Sequence, residues 1–182
     1  YDSNLHVLHL TTEKEMSHFT AGDIDNKKIT AEVCVHHLFF SEKDYENKGN
    51  FIKCNPSIKK ESDRLALISA VQNDLIDIIA TDNAPHTLEE KQQHYLKAPA
   101  GLPLVQHMLP TLLDFYHKNI FSLEMIVKKT SHNIAKRFQI KYRGYIREGY
   151  YADLAIIDLN KPLIITRENT LYKCGWSPFE GY

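Results

Sequence analysis

The chain has 182 residues, with 22 basic side chains against 23 acidic ones and a net charge of −1. That balance gives no field to draw it to nucleic acid or to an anionic membrane surface. No apolar run approaches the roughly 20 residues of a membrane span, and three scattered cysteines (Cys34, Cys54 and Cys174) predict a reducing, cytoplasmic setting rather than a disulfide framework.

Leu5 to Leu10 reads as a strand, followed by Thr11-Thr12-Glu13-Lys14-Glu15-Met16 as a capped helix start. Ile29 to Val35 predicts a second strand, and Phe51 to Cys54 a third that ends at the Asn55-Pro56 turn. Ser62 to Asn73 predicts an amphipathic helix with Leu65, Ile68 and Val71 at helical spacing. Leu75 to Thr81 is the fourth predicted strand, an apolar run of the kind buried in a parallel sheet. Leu104 to Tyr116 predicts a helix kinked at Pro110, and Ser122 to Phe138 one or two more helices. Composition shifts near Gly144, where a turn feeds an alternating strand through Asp158. The chain is thus expected to divide into an α/β part over residues 1–143 and a terminal part over residues 144–182.

Strand alternation supplies the candidate site. Ile76, Ile78, Ala80 and Asp82 share one face of the fourth strand, so Asp82 stands at its end. In a parallel α/β barrel the strand ends carry the chemistry; the alternative is a helix N-cap aspartate. Pro85 then fixes a turn that delivers His86. Alternation also places His9 at the end of the first strand and sets His6 on the opposite face. On the second strand Glu32, Cys34 and His36 share the inward face, with Ala31, Val33 and Val35 toward the helices. These three could orient ligands from behind, bind an extra metal, or simply line the barrel floor. Ten histidines are many for this length and invite a metal hypothesis.

Five segments carry a resemblance in order. They are Leu8-His9-Leu10-Thr11-Thr12, Ala31 to Leu38, Lys53-Cys54-Asn55-Pro56-Ser57-Ile58-Lys59, Thr81-Asp82-Asn83-Ala84-Pro85-His86-Thr87, and the terminal Gly175-Trp176-Ser177-Pro178-Phe179-Glu180-Gly181. Together they resemble the dihydroorotases of the amidohydrolase superfamily. The resemblance implies the C-terminal part of a TIM-type (β/α)8 barrel, followed by a return segment to a small β-sandwich. A complete barrel of this type takes roughly 250 residues, and the chain opens on a strand pattern without a methionine. The expectation is therefore a portion of a longer protein, inactive by itself and completed by the missing N-terminal part.

The same resemblance implies two zinc ions in the complete site, with His9 a ligand of one and Asp82 of the other. It makes Asp82 the proton acceptor in the reversible hydrolysis of dihydroorotate to carbamoyl aspartate. Asn55 and His86 would bind the substrate carboxylate, and the Gly101 backbone the ring amide. Asn83 stands where the family usually has His, and Cys34-Val35 where it commonly has Thr-Pro. Asn83, like Glu32, Cys34 and His36, would support the ligands from behind. A homo-oligomer is expected. Two further readings stay open: another cyclic-amide hydrolase of the hydantoinase or allantoinase kind, or a non-catalytic partner of a transcarbamoylase.

Overall fold

A computed structural model describes residues 2–182. Its frame is a parallel three-stranded sheet of order β1-β2-β3, with β1 at Leu5–Val7, β2 at Ile29–Cys34 and β3 at Ile78–Ala80. Leu5, His6 and Val7 pair with Ile29, Thr30 and Ala31, and Glu32, Val33 and Cys34 with Ile78, Ile79 and Ala80. Parallel strands need crossovers, and these run through helical segments. A 3-10 helix at Glu13–His18 lies between β1 and β2, and α3 (Glu61–Gln72) between β2 and β3. After β2 come the short helices α1 (Val35–Phe39) and α2 (Tyr45–Lys48). After β3 come α4 (Leu88–Lys91), α5 (Met108–His117), α6 (Leu123–Val127) and α7 (Asn133–Arg137).

The local starts obey sequence chemistry. Thr12 and Glu15 form a reciprocal capping box, with Thr12 N donating to Glu15 Oε2 at 2.7 Å. Thr87 and Glu90 do the same for α4, which begins two residues after His86. Ala31, Val33 and Val35 lie in the apolar core with Leu67, Ile68, Ala70 and Val71 of α3, as alternation required. The α3 stripe differs in one place: Leu65 is 53% exposed while Leu67 is 1% exposed, so the helix turns its Leu67 edge to the sheet.

Four expectations are corrected. Residues 51–54 form no strand; a 3-10 helix covers Gly49–Ile52, because Gly49 takes a positive φ of 49° and winds the chain too tightly for pairing. β2 ends at Cys34, so His36 belongs to α1 rather than to the strand face. Pro110 does not kink a helix, since α5 starts at Met108 and Pro110 falls in the first turn, where its missing N–H costs nothing. Residues 144–158 contain no strand, and Ile156 is fully exposed. A strand exists only by pairing, and no partner strand lies beside this segment among the described residues.

Ion pairs tie the helical layer to β3. The fully buried Lys129 donates to Asp74 Oδ1 at 2.7 Å and to Ile76 O at 2.5 Å, while Lys128 meets the same carboxylate at 2.9 and 3.0 Å. Burial pushes the Asp74 carboxyl up, but its bonds from Lys129 and Lys128 outweigh burial and hold it below its ordinary 3.8. At the base of the sheet, buried Asp77 accepts from Lys27 Nζ at 2.7 Å and from Ala31 N at 3.0 Å. No helix among the described residues is long and apolar enough to cross a membrane.

Candidate metal and substrate site

His9 and Asp82 both lie just past the ends of their strands, and both have left-handed backbones, with φ of 56° and 48°. For residues other than glycine this conformation is uncommon and is held only where the surroundings over-determine it. Here it turns the two side chains toward each other, with His9 Nε2 3.6 Å from Asp82 Oδ1. His9 Nδ1 lies 2.9 Å from Glu32 Oε1. The carboxylate can only accept, so it holds a proton on Nδ1 and leaves Nε2, on the Asp82 side, as the ring atom available to a cation.

Two acceptors thus face each other with no donor between them. An imidazole nitrogen and a carboxylate oxygen are both zinc-type donors, and here they stand 3.6 Å apart. The Glu32–His9 contact is also the carboxylate–histidine support usual behind a metal-bound imidazole. The donor set therefore fits a cation at this place.

Alternation had set His6 apart from His9, and that is overturned. β1 ends at Val7, the positive φ at His9 reverses the chain, and both imidazoles meet Glu32. His6 Nε2 donates to Glu32 Oε2 at 3.0 Å, and its Nδ1 lies 2.8 Å from Thr30 Oγ1. His6 is the site residue that sequence reasoning missed; a strand of only three residues would have been the signal. Glu32 and Cys34 do share the inward face, and Cys34 Sγ sits 3.2 Å from His9 Nδ1. Burial, with the Glu32 and Asp82 carboxylates nearby, pushes the Cys34 thiol far up.

His36 does not join this group from the strand. It sits on α1, fully buried beside His37 with ring centroids 4.0 Å apart. Burial pushes His36 well down and His37 down to about 4, so both rings are neutral at ordinary pH.

The second half of the site is the loop after β3. Asn83 Oδ1 accepts from Leu104 N at 2.8 Å and from Val105 N at 3.1 Å, and Ala84 N donates to Leu102 O at 3.0 Å. Asn83 thus clamps residues 102–105 to this loop, a task its amide oxygen performs with two lone pairs. His86 Nε2 lies 3.1 Å from Ala100 O, and Trp176 Nε1 donates to His86 O at 2.8 Å. The terminal Gly-Trp-Ser-Pro segment therefore pins the backbone of His86.

Gly101 packs into the same corner with φ +137°. Its N–H donates to Lys53 O at 3.0 Å and its carbonyl accepts from Lys91 Nζ at 3.0 Å. Only the carbonyl's second lone pair is left for a ligand. Lys91 is buried and also donates to Lys53 O and Pro99 O, at 3.2 and 2.9 Å; burial pushes its ammonium down to about 8. Asn55, exposed, follows Lys53 by two residues at the start of a cis Asn55–Pro56 peptide. Its side chain makes no hydrogen bond among the described residues, which leaves its donors and acceptor available. None of these residues lines the cleft of about 1000 Å³ that lies between α5 and residues 156–163.

The chain is 38% identical to a dihydroorotase of Pyrococcus abyssi, over 98% of this chain and 42% of that protein. It is 37% identical to a dihydroorotase of Fusobacterium nucleatum, over 96% of this chain and 41% of that protein. The chain thus spans about two fifths of the length of these relatives. Among solved structures, an L-hydantoinase (dihydropyrimidinase) from Arthrobacter aurescens superposes with a TM-score of 0.88 at 25% identity, covering 99% of this chain and 41% of that one. A dihydroorotase from Saccharomyces cerevisiae, solved with 5-fluoroorotic acid, shares the fold with a TM-score of 0.65 at 23% identity, over 75% of this chain and 38% of that one. The model of the amidohydrolase family matches residues 4–178, and the chain belongs to that family.

Proposed function

We propose that this chain supplies the later part of the metal-dependent barrel of a dihydroorotase, with residues 1–143 in the barrel and 144–182 returning toward a small β-sandwich. The observation that carries the reading is the pair of mutually facing acceptors, His9 Nε2 and Asp82 Oδ1, 3.6 Å apart on two left-handed strand ends. The dihydroorotase relatives at 37–38% identity support the substrate class.

His9 and Asp82 would hold zinc, two ions in the complete site, with the remaining ligands supplied by other strands. Bound zinc supplies a water acidic enough to be a nucleophile near neutral pH. Asp82, with its side chain 35% exposed at the mouth, would hold a proton on its carboxylate and give it to the ring nitrogen as the amide bond breaks. Glu32 keeps His9 oriented through both steps. Asn55 and His86 take the substrate carboxylate: Asn55 through its free amide donors, and His86 through Nδ1, which faces Glu90 at 4.0 Å. The Lys91 ammonium, holding the carbonyls of Pro99 and Gly101 together with that of Lys53, fixes Gly101 for this.

The closeness of the L-hydantoinase structure favours a second reading, hydrolysis of a cyclic amide without a carboxylate. The full gene product decides between them in a turnover assay on dihydroorotate, dihydrouracil and hydantoin. Preference for dihydroorotate that disappears in Asn55→Ala supports the first; equal turnover of the uncharged rings rejects it. Residues 1–182 purified without other chains are expected to show no turnover, since a site needs all its ligands to bind metal.

A further inference from the structure

We propose that Cys34, His36 and His37 form a buried binding site for a zinc-type ion, with a ligand set separate from His9 and Asp82. One ligand atom from each of the three lies within 4.8 Å of the other two. All three side chains are buried, His36 at 1% exposure and His37 at 4%. Both ring nitrogens of His36 and Nδ1 of His37 have no hydrogen-bond partner. Three such orphans in one place are rare, because buried polar groups are nearly always paired.

The tautomers suit a cation. His37 Nε2 donates to Pro56 O at 3.0 Å, which puts the proton there and leaves the partnerless Nδ1 lone pair free for a ligand. A metal-bound imidazole is held in this way, with its other N–H on a backbone carbonyl. Cys54 lies on the Nε2 side of that ring, 3.8 Å away, and donates to Pro56 O, so it stands outside the set. One thiolate and two imidazoles suit zinc. Filled zinc sites have ligand edges of roughly 3.3–3.8 Å, so closing the triangle takes side-chain shifts of about an ångström.

Binding forms one S–Zn and two N–Zn bonds, and the Cys34 thiol proton leaves to solvent. The site has no open path for a substrate, so its role is to brace the junction of β2 and α1. That junction begins two residues after Glu32, the group that orients His9. Neither the metal at the mouth nor the choice of substrate enters this proposal, so it stands or falls apart from the dihydroorotase reading.

The test uses the full gene product stripped of metal and titrated with Co2+, followed by the near-ultraviolet thiolate-to-cobalt absorption, and with Zn2+, followed by equivalents bound and protons released. The expected result is a thiolate band that saturates at one ion per chain. The band should be lost in Cys34→Ser, weakened roughly a hundredfold in affinity in His36→Gln and His37→Gln, and kept in His9→Ala. Absence of the band in the unmutated protein overturns the proposal, however the variants fold. A band that survives in both histidine variants and vanishes in His9→Ala also overturns it, because Cys34 would then belong to the mouth.

Discussion

Gly101 offers a perturbation whose size can be worked from the structure. A Cβ added there would meet Ala84 O at 2.6 Å, Ala84 Cβ at 2.8 Å and His86 Nε2 at 2.9 Å, all inside real contact distances, on a backbone with φ +137°. The loop cannot easily yield. Its N–H is held by Lys53 O and its carbonyl by the buried Lys91. Overpacking of this kind costs about 1–3 kcal/mol and a forced positive φ about 1–3 kcal/mol more. Gly101→Ala is therefore expected to lose about 2–5 kcal/mol, one shift relieving part of both terms. The least constrained of the three neighbours is the His86 ring, so it moves first. If that ring binds the substrate carboxylate, losing a bond to a charged group costs about 1.5–3 kcal/mol, and KM rises roughly 10- to 150-fold. Urea unfolding and steady-state kinetics on the full gene product measure both. Removing the ring in a Gly101→Ala, His86→Ala double variant should destabilise by less than the sum of the single changes. An unchanged unfolding midpoint refutes the packing argument, and a destabilised Gly101→Ala with unaltered KM refutes the role of His86.

Other perturbations separate chemistry, clamping and charge. Asp82→Ala should abolish kcat and, like His9→Ala, lower bound zinc by elemental analysis, while Asn55→Ala should mainly raise KM; near-normal kcat in Asp82→Ala rejects its role. Asn83→Ala strips the partner from Leu104 N and Val105 N and should cost about 1–3 kcal/mol in chemical denaturation; His at the same position cannot accept both bonds in this geometry and should recover only part of the loss. Asp74→Asn leaves buried Lys129 and its neighbour Lys128 without their carboxylate. The expected loss is about 1–3 kcal/mol, less than for a fully buried pair because Asp74 is about a third exposed. Because the folded state lowers the pKa of Asp74, its contribution is fully present above the ordinary value of 3.8 and is lost as pH falls through the lower folded value. The difference between wild type and Asp74→Asn should therefore shrink below about pH 4, and a constant difference down to pH 2 contradicts the assigned cause.

Local chemistry in the sequence was enough to determine the helical start at Thr12, since a capping box is closed by residues three apart. It was enough for the core face of Ala31 and Val33 and for the shared face of Glu32 and Cys34, because alternation holds wherever the chain is truly a strand. His9 and Asp82 were legible as strand-end residues. What turns them toward each other was not: both lie beyond the last paired residue, where direction follows a left-handed φ that only the surrounding packing can hold. The same limit hid His6, whose partnership with Glu32 depends on β1 stopping at Val7. Residues 51–54 and 144–158 carry strand-like patterns yet form no strand, because pairing is a relation between two segments and a pattern in one cannot supply the other. The orphaned nitrogens of His36 and His37 are likewise a tertiary fact. A sequence shows that two histidines are adjacent; only packing decides that no backbone or side-chain group pairs with these nitrogens.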